Sequence, residues 1–288
     1  MLKGAAVITR VSSTAQEVLI GDDRPTVLIG ERINPTGRKK LAAALQAGDL
    51  DVLRREAIAQ VQAGADILDV NVGTSGVDEV ALLPQAVKVV MDAVDVPLCL
   101  DSDNPKALAS ALKVYKGRPI VNSVNGQDDR LLEILPLIKE YGAVVIALTM
   151  DDEGIPNDSD RRVAIAHKIV ERAEALGIPR EDIIIDSLAL TVATDGKAAL
   201  ATLDTIRRVK AAFGVNQTLG ASNISFGLPE RPIINHAFLT LAIAAGVTCP
   251  VVHAAQVHPA ILATDLLLGR DHYAMRYIKG YRARLKSK

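Results

Sequence analysis

The sequence predicts an α/β fold, a single (β/α)8 TIM barrel with an N-terminal β-hairpin extension. Three observations predict it. From about residue 26 onward, short apolar runs alternate with amphipathic, helix-prone segments, the pattern of a parallel sheet built through crossover helices. Eight such runs recur at a spacing of roughly 30 residues, and eight units of that size close into a barrel of about 250 residues. No Gly-x-Gly-x-x-Gly follows the first run, so the alternative, a doubly wound open sheet, lacks its usual phosphate-binding turn.

Ahead of the barrel, Val7-Ile8-Thr9-Arg10-Val11 and Gln16-Glu17-Val18-Leu19-Ile20 are β-prone runs joined by the polar Ser12-Ser13-Thr14. Gly21-Asp22-Asp23-Arg24-Pro25 then marks a turn. Residues 1–25 therefore read as a hairpin extension that closes one end of a barrel spanning residues 26–288. The strand candidates begin with Val27–Gly30, Ile67–Val70, Pro97–Leu100 and Pro119–Asn122. They continue with Val144–Leu148, Ile183–Asp186, Thr218–Ala221 and Pro250–His253. Between them lie helical segments such as Leu53–Val61. No linker, low-complexity stretch or charge block divides the chain.

Composition agrees with a large packed core. Of 288 residues, 49% are hydrophobic, mostly Ala, Val, Ile and Leu, while aromatics are only 3%. β-branched residues fill inward strand positions, and Ala and Leu suit helices lying close on a sheet. A formal net charge of −1 gives no overall field toward nucleic acid or an anionic membrane. The basic run Arg282–Lys288 suits a solvated helix C-terminus better than a binding tail. No run is long and apolar enough to span a membrane, and no signal-peptide region opens the chain. With only Cys99 and Cys249, both in apolar runs read as strands, the expectation is a reduced, cytoplasmic protein with two buried thiols.

In a barrel of this kind the active site forms at the C-terminal ends of the strands. Those ends carry Glu31-Arg32-Ile33-Asn34, Asp69 with Asn71 and Gly73, Asp101-Ser102-Asp103-Asn104 and Asn122-Ser123-Val124-Asn125. Then come Thr149-Met150-Asp151-Asp152-Glu153, Asp186-Ser187 and Ser222-Asn223-Ile224-Ser225. Each Asp, Asn or Ser taken singly could equally cap the next helix. Repeated over seven strands, the bias points to a polar ring around a pocket. Carboxylates and amides together suit a flat heterocycle rich in N–H and C=O groups. The five histidines fall in no metal motif, and neither a Gly-x-Ser-x-Gly elbow nor a P-loop occurs. No metal ligand set is expected.

The motifs Gly30-Glu31-Arg32-Ile33-Asn34, Leu68-Asp69-Val70-Asn71-Val72-Gly73, Leu98-Cys99-Leu100-Asp101-Ser102 and Val121-Asn122-Ser123-Val124-Asn125 are similar to those of the pterin-binding methyltransferases. So are Leu148-Thr149-Met150 with Gly154-Ile155-Pro156, Ile185-Asp186, Gly220-Ala221-Ser222-Asn223-Ile224-Ser225 and Arg231-Pro232-Ile233-Ile234-Asn235. Within that family the chain most resembles the methyltetrahydrofolate:corrinoid/iron–sulfur protein methyltransferases, and more distantly the folate domain of cobalamin-dependent methionine synthase. The resemblance runs in order from about Leu28 to the C-terminus and leaves out the hairpin. Dihydropteroate synthases share the barrel and pterin pocket. Their Thr-Pro-Asp-Ser-Phe and Lys-x-Ser-Arg elements are replaced here by Glu31–Thr36 and Ser222–Ser225.

The resemblance implies an enzyme that moves a methyl group between N5 of tetrahydrofolate and the cobalt of a corrinoid. It implies that Asp101, Asn122 and Asp186 grip the pterin, that Asp69 and Asn71 line the same floor, and that Ser222 belongs to the folate site. Asn223 would stand near N5, with Asp186 and Arg231 orienting it and a water network. An amide cannot supply a proton, so water or solvent must. The alternative for Arg231 is a salt bridge anchoring the last helical unit. No Asp-x-His-x-x-Gly corrinoid signature occurs, so the corrinoid would come on a partner protein. A homodimer is also implied. A dihydropteroate synthase-like enzyme and a non-catalytic folate-binding module are the competing readings.

Overall fold

A computed structural model describes residues 7–286. The hairpin forms first, from β1 (Thr9–Ser12) and β2 (Glu17–Ile20), antiparallel with Thr9 opposite Ile20. Val7 and Ile8 precede the strand, and residues 1–6 of the expected hairpin segment lie outside the described residues.

Eight parallel strands follow among the described residues: β3 (Ile29–Ile33), β4 (Ile67–Asn71), β5 (Leu98–Asp101), β6 (Ile120–Asn125), β7 (Val144–Leu148), β8 (Ile183–Asp186), β9 (Asn216–Thr218) and β10 (Val251–Val252). Neighbours in sequence are neighbours in the sheet, and β10 returns to pair with β3. The remaining seam, β9 to β10, is closed by a Gly220–Val251 bridge and by the Val251 N–H donating to the Leu219 carbonyl at 3.0 Å. The sheet is thus a barrel rather than an open one.

Helices α1 (Lys39–Gln46), α2 (Asp51–Gln62), α3 (Glu79–Met91), α4 (Pro105–Val114) and α5 (Asp128–Tyr141) wrap the first half. Helices α6 (Ser159–Ala175), α7 (Ala198–Phe213), α8 (Arg231–Ala245), α9 (Ala254–Leu267) and α10 (Met275–Lys286) complete the ring. Their starts are capped by Asp78, Asn104 and Asp158 for α3, α4 and α6. The caps of α3 and α4 lie downstream of Asp69 and Asp101, and the α5 N-cap is Gln127, so capping does not account for Asp69, Asp101 or Asn122. The basic C-terminal run continues α10 to residue 286, and residues 287–288 lie outside the described residues.

Two strand boundaries differ from the sequence reading in an instructive way. The ninth strand is Asn216–Thr218, upstream of the apolar Thr218–Ala221 run, because its polar side chains are satisfied inside the barrel. The Asn216 amide donates to the Thr9 hydroxyl at 2.9 Å and the Ile20 carbonyl at 3.0 Å. Ala221 instead begins a short 3-10 turn, Ala221–Ser225. The last strand shortens to two residues, and Cys249 lies in a bend before it rather than in a strand. Both cysteines are buried free thiols.

The hairpin plugs the N-terminal mouth. Val11 and Ile20 pack with the inward residues Ile29, Ile67, Cys99, Ile120 and Ile184. The plug is tied by reciprocal backbone bonds between Ser12 and Arg118, each 2.9 Å, and by the Tyr115 hydroxyl donating to the Ser12 carbonyl at 2.9 Å. Gly117 adopts φ +128°, and a Cβ there would sit 2.3 Å from the Ser12 oxygen, so only glycine allows this approach.

Candidate active site

Side chains alternate along a strand, so residues two apart share a face. The same strands that send Ile29, Ile67, Cys99, Ile120 and Ile184 into the closed end therefore send Glu31, Asp69, Asp101, Asn122 and Asp186 into the barrel interior one step nearer the open end. The parallel register aligns Asn71 with Asp101 and Asp101 with Asn122. β7 differs, with Val144, Ile146 and Leu148 apolar throughout.

Those five polar residues line one cleft of about 370 Å³, joined by Ser222 and Asn223 from the 3-10 turn. That volume suits a small heterocyclic ligand. Its walls are mostly polar, and Arg32, Arg38 and Leu188 also line it.

The floor is an acid pair. Asn122 donates from Nδ2 to Asp69 Oδ1 at 3.2 Å. Burial chiefly, and then the charge of Asp69, pushes the Asp101 carboxyl well above the usual carboxylate range. Asp69 is itself raised by burial, against hydrogen bonds from Cys99, Asn122 and Asp101. Two buried carboxyls that share a hydrogen bond do not both ionise readily. Asp186 is pushed up to about 7 by burial, against the Leu188 N–H, which donates to its Oδ1 at 2.7 Å, and the charge of Arg162. Glu31 is raised by burial and accepts a 3.2 Å hydrogen bond from the Ser222 hydroxyl. Such a set can accept from several ring N–H and amino groups.

The expected residues are not all equivalent in place. Asp69, Asp101, Asn122, Asp186, Ser222 and Asn223 line the cleft. Asn71 stands behind Asp101, bonding its carboxyl and accepting the Gly73 N–H at 2.8 Å. Asp186 and Asn223 share the cleft without a hydrogen bond between them among the described residues. Arg231 sits behind the turn, donating to the Ser222 carbonyl at 2.7 Å and the Ser225 hydroxyl at 3.0 Å. It thus fixes the backbone that carries Asn223, and it makes no salt bridge among the described residues. Gly220 leaves room for the Asn223 amide, since a Cβ there would lie 3.3 Å from its Nδ2.

Glu31 belongs to the first of the motifs but is not among the site residues that the resemblance implies. The signal that finds it is its position two residues beyond Ile29, the same offset that places Asp69, Asp101, Asn122 and Asp186. Among the described residues no group of three His, Cys, Asp or Glu is placed to hold a metal ion. None of the described helices is long and apolar enough to cross a membrane.

Comparison with known proteins agrees with this geometry. The family described as pterin binding enzyme matches residues 30–253. A methylcorrinoid:tetrahydrofolate methyltransferase of Eubacterium limosum is 34% identical over 266 residues, covering 89% of this chain and 96% of its own. The methionine synthase of Mycobacterium tuberculosis is 33% identical over 86% of this chain, which spans only 22% of that much longer protein. In structure, the dihydropteroate synthase of Yersinia pestis superposes with a TM-score of 0.68 over 92% of this chain and 100% of its own. At 18% identity that likeness speaks to the barrel alone.

Proposed function

The chain belongs to the pterin-binding enzyme family, and from that premise we propose that it transfers a methyl group between N5 of tetrahydrofolate and the cobalt of a corrinoid carried on a separate protein. One observation carries the reading. Five inward polar residues at matched positions on five strands line one cleft, in a chain resembling the Eubacterium limosum methyltransferase along nearly its whole length, and that lining suits a planar, N–H-rich ring.

In the direction of corrinoid methylation, the cobalt electron pair forms the new bond to carbon while the carbon–N5 pair returns to nitrogen, which takes a proton. A bare nitrogen anion leaves badly, so help at N5 lowers the barrier where it is stronger in the transition state than in the bound substrate. Proton delivery of this kind is worth about 10²–10⁴-fold. Asp101, Asp69 and Asn122 hold the pyrimidine edge of the pterin, with Asn71 backing Asp101 and Ser222 bounding the pocket. Asp186 takes a further ring N–H. Asn223 hydrogen-bonds at N5 from its turn, and Arg231 holds that turn. The proton comes through solvent in the cleft, since an amide cannot release one. The name of the Eubacterium limosum relative runs from methylcorrinoid to tetrahydrofolate, and the reverse direction passes through the same transition state.

The same reading has residues 1–25 as an N-terminal β-hairpin extension and residues 26–288 as a single pterin-binding barrel domain, two chains pairing as a homodimer, and a cytoplasmic setting. The test is a cobalt absorbance assay with cob(I)alamin and (6S)-methyltetrahydrofolate. Methylcobalamin formation with the protein, and its loss in Asn223→Ala with folate binding kept, is the expected result. Tight folate binding with no transfer, even to corrinoid proteins supplied in turn, would make the chain a binding module. Unchanged transfer in Asn223→Ala would remove that residue from the mechanism.

A further inference from the structure

Arg162 heads the largest fully buried side chains of the molecule, yet the reaction described above makes no use of it. It rises from the start of α6, and among the described residues it forms no ion pair. Its Nε and Nη1 bond mainly to backbone, while the buried Nη2 has no hydrogen-bond partner. Nε donates to the Pro156 carbonyl at 2.7 Å, and Nη1 to the carbonyls of Ser187 at 2.9 Å and Leu188 at 2.8 Å. The Thr202 hydroxyl of α7 accepts from Nη1 at 3.2 Å and itself donates to the Leu188 carbonyl at 3.0 Å.

Burying a cation is costly unless its partners offset the lost hydration, and apolar packing usually serves stability as well. The location suggests what this one does. Ser187 and Leu188 directly follow Asp186. Leu188 lines the cleft in a left-handed conformation, φ 52°, which a leucine rarely holds without support. Its N–H is the donor to the Asp186 carboxyl. Clamping the two carbonyls sets the peptide planes, and the peptide planes aim that N–H.

We propose that Arg162 is a positioning residue for the folate site: it clamps the loop after β8 so that Leu188 holds Asp186 in place against the bound pterin. The proposal rests on the reading of Asp186 as a pterin contact. A second effect follows from charge. Across the barrel wall Asp186 neighbours Leu148 of β7 and Thr218 of β9, which do not titrate. The nearby Cys249 thiol is pushed up to about 12 by burial and stays neutral. Arg162 is the cation that favours ionised Asp186, and in return Asp186 and Asp158 favour charged Arg162.

The experiment is the pH dependence of (6S)-methyltetrahydrofolate binding by calorimetry, in wild type, Arg162→Met, Arg162→Lys, Thr202→Val and Asp186→Asn. Ionised Asp186 accepts the ring N–H, so wild-type binding weakens as pH falls. In Arg162→Met that acid limb moves up by about one pH unit or more, as loss of an opposite charge requires. Arg162→Lys keeps the limb near its wild-type position but binds about tenfold more weakly, because the fork is lost. Should Arg162→Met fail to fold, Thr202→Val decides. It removes a hydroxyl that braces both Arg162 and Leu188, and severalfold weaker binding by protein that is still fully folded at the assay temperature is expected. Variants that only melt earlier, with limb and affinity as in wild type, would overturn the proposal. Wild-type binding by Asp186→Asn would instead overturn the reading of Asp186 on which it rests.

Discussion

At one mouth of the barrel, Ile29, Ile67, Cys99, Ile120 and Ile184 point inward and are sealed by Val11 and Ile20 of the hairpin. Two residues along the same five strands, Glu31, Asp69, Asp101, Asn122 and Asp186 point into the same interior and face an open cleft. The backbone geometry is shared, so the contrast comes from side chains alone. The closed end is apolar and its few polar groups are bonded, as the Asn216 amide is to Thr9 and Ile20. At the open end, burial raises Asp69, Asp101, Asp186 and Glu31. Stability is concentrated at one mouth, and a strained electrostatic site is carried at the other.

The sharpest way to break the comparison is to put an acid at the closed end. Val11→Asp places an unpaired charge where no solvent reaches, and should cost about 4 kcal/mol or more in urea unfolding. Methyl transfer per folded molecule should stay near wild type. If it falls in step with stability, the two ends are not independent.

A pH series tests the open end. The Asp186 carboxyl, at about 7 in the folded protein against an ordinary 3.8, keeps a proton that the unfolded chain has released. Its contribution to stability is therefore full below pH ~4, is lost as pH rises through ~7, and amounts to at most roughly 4 kcal/mol. Asp186→Asn should flatten that fall in chemical unfolding between about pH 4 and 7. An unchanged slope would place the proton elsewhere.

Asp101→Asn separates stability from function at a single site. Removing one acid of the floor pair should raise the urea midpoint at pH 8 while weakening folate binding roughly 100-fold, or about 3 kcal/mol. A variant that is both less stable and still binds would show the pair to be structural. The smallest effect is expected of Ser222→Ala, which removes the hydroxyl bonded to Glu31. About 1 kcal/mol of folate affinity should be lost, with the melting temperature unchanged. No change in affinity would leave Glu31 anchored by burial alone.

Much of this was legible in the sequence because the relevant patterns are local. Val144–Leu148 and Ile183–Asp186 are apolar runs whose ends coincide with the strands formed. Asp69, Asp101, Asn122 and Asp186 follow such runs at the place where a barrel opens. What escaped notice depends on partners distant in the chain. Asn216 and Gln217 look like loop residues until Thr9 and Ile20, about two hundred residues earlier, are seen to satisfy the former's amide. Arg162 resembles any solvated helix arginine, since backbone carbonyls leave no mark in a sequence. The contact between Arg231 and the turn of Asn223 is likewise mediated by a carbonyl.

The bond from Asn216 to Ile20 spans 196 residues. On a ribosome adding about 5–20 residues per second, the partner of the hairpin emerges roughly 10–40 s after the hairpin itself. Until then Val11 and Ile20 have no barrel mouth to enter, and the strand edges beside them are open to pairing with other chains. Slower translation lengthens that interval without changing any contact in the finished protein. Yield in the cell will therefore depend on what shields the hairpin while it waits, so two messages encoding the same enzyme can differ in how much of it survives to fold.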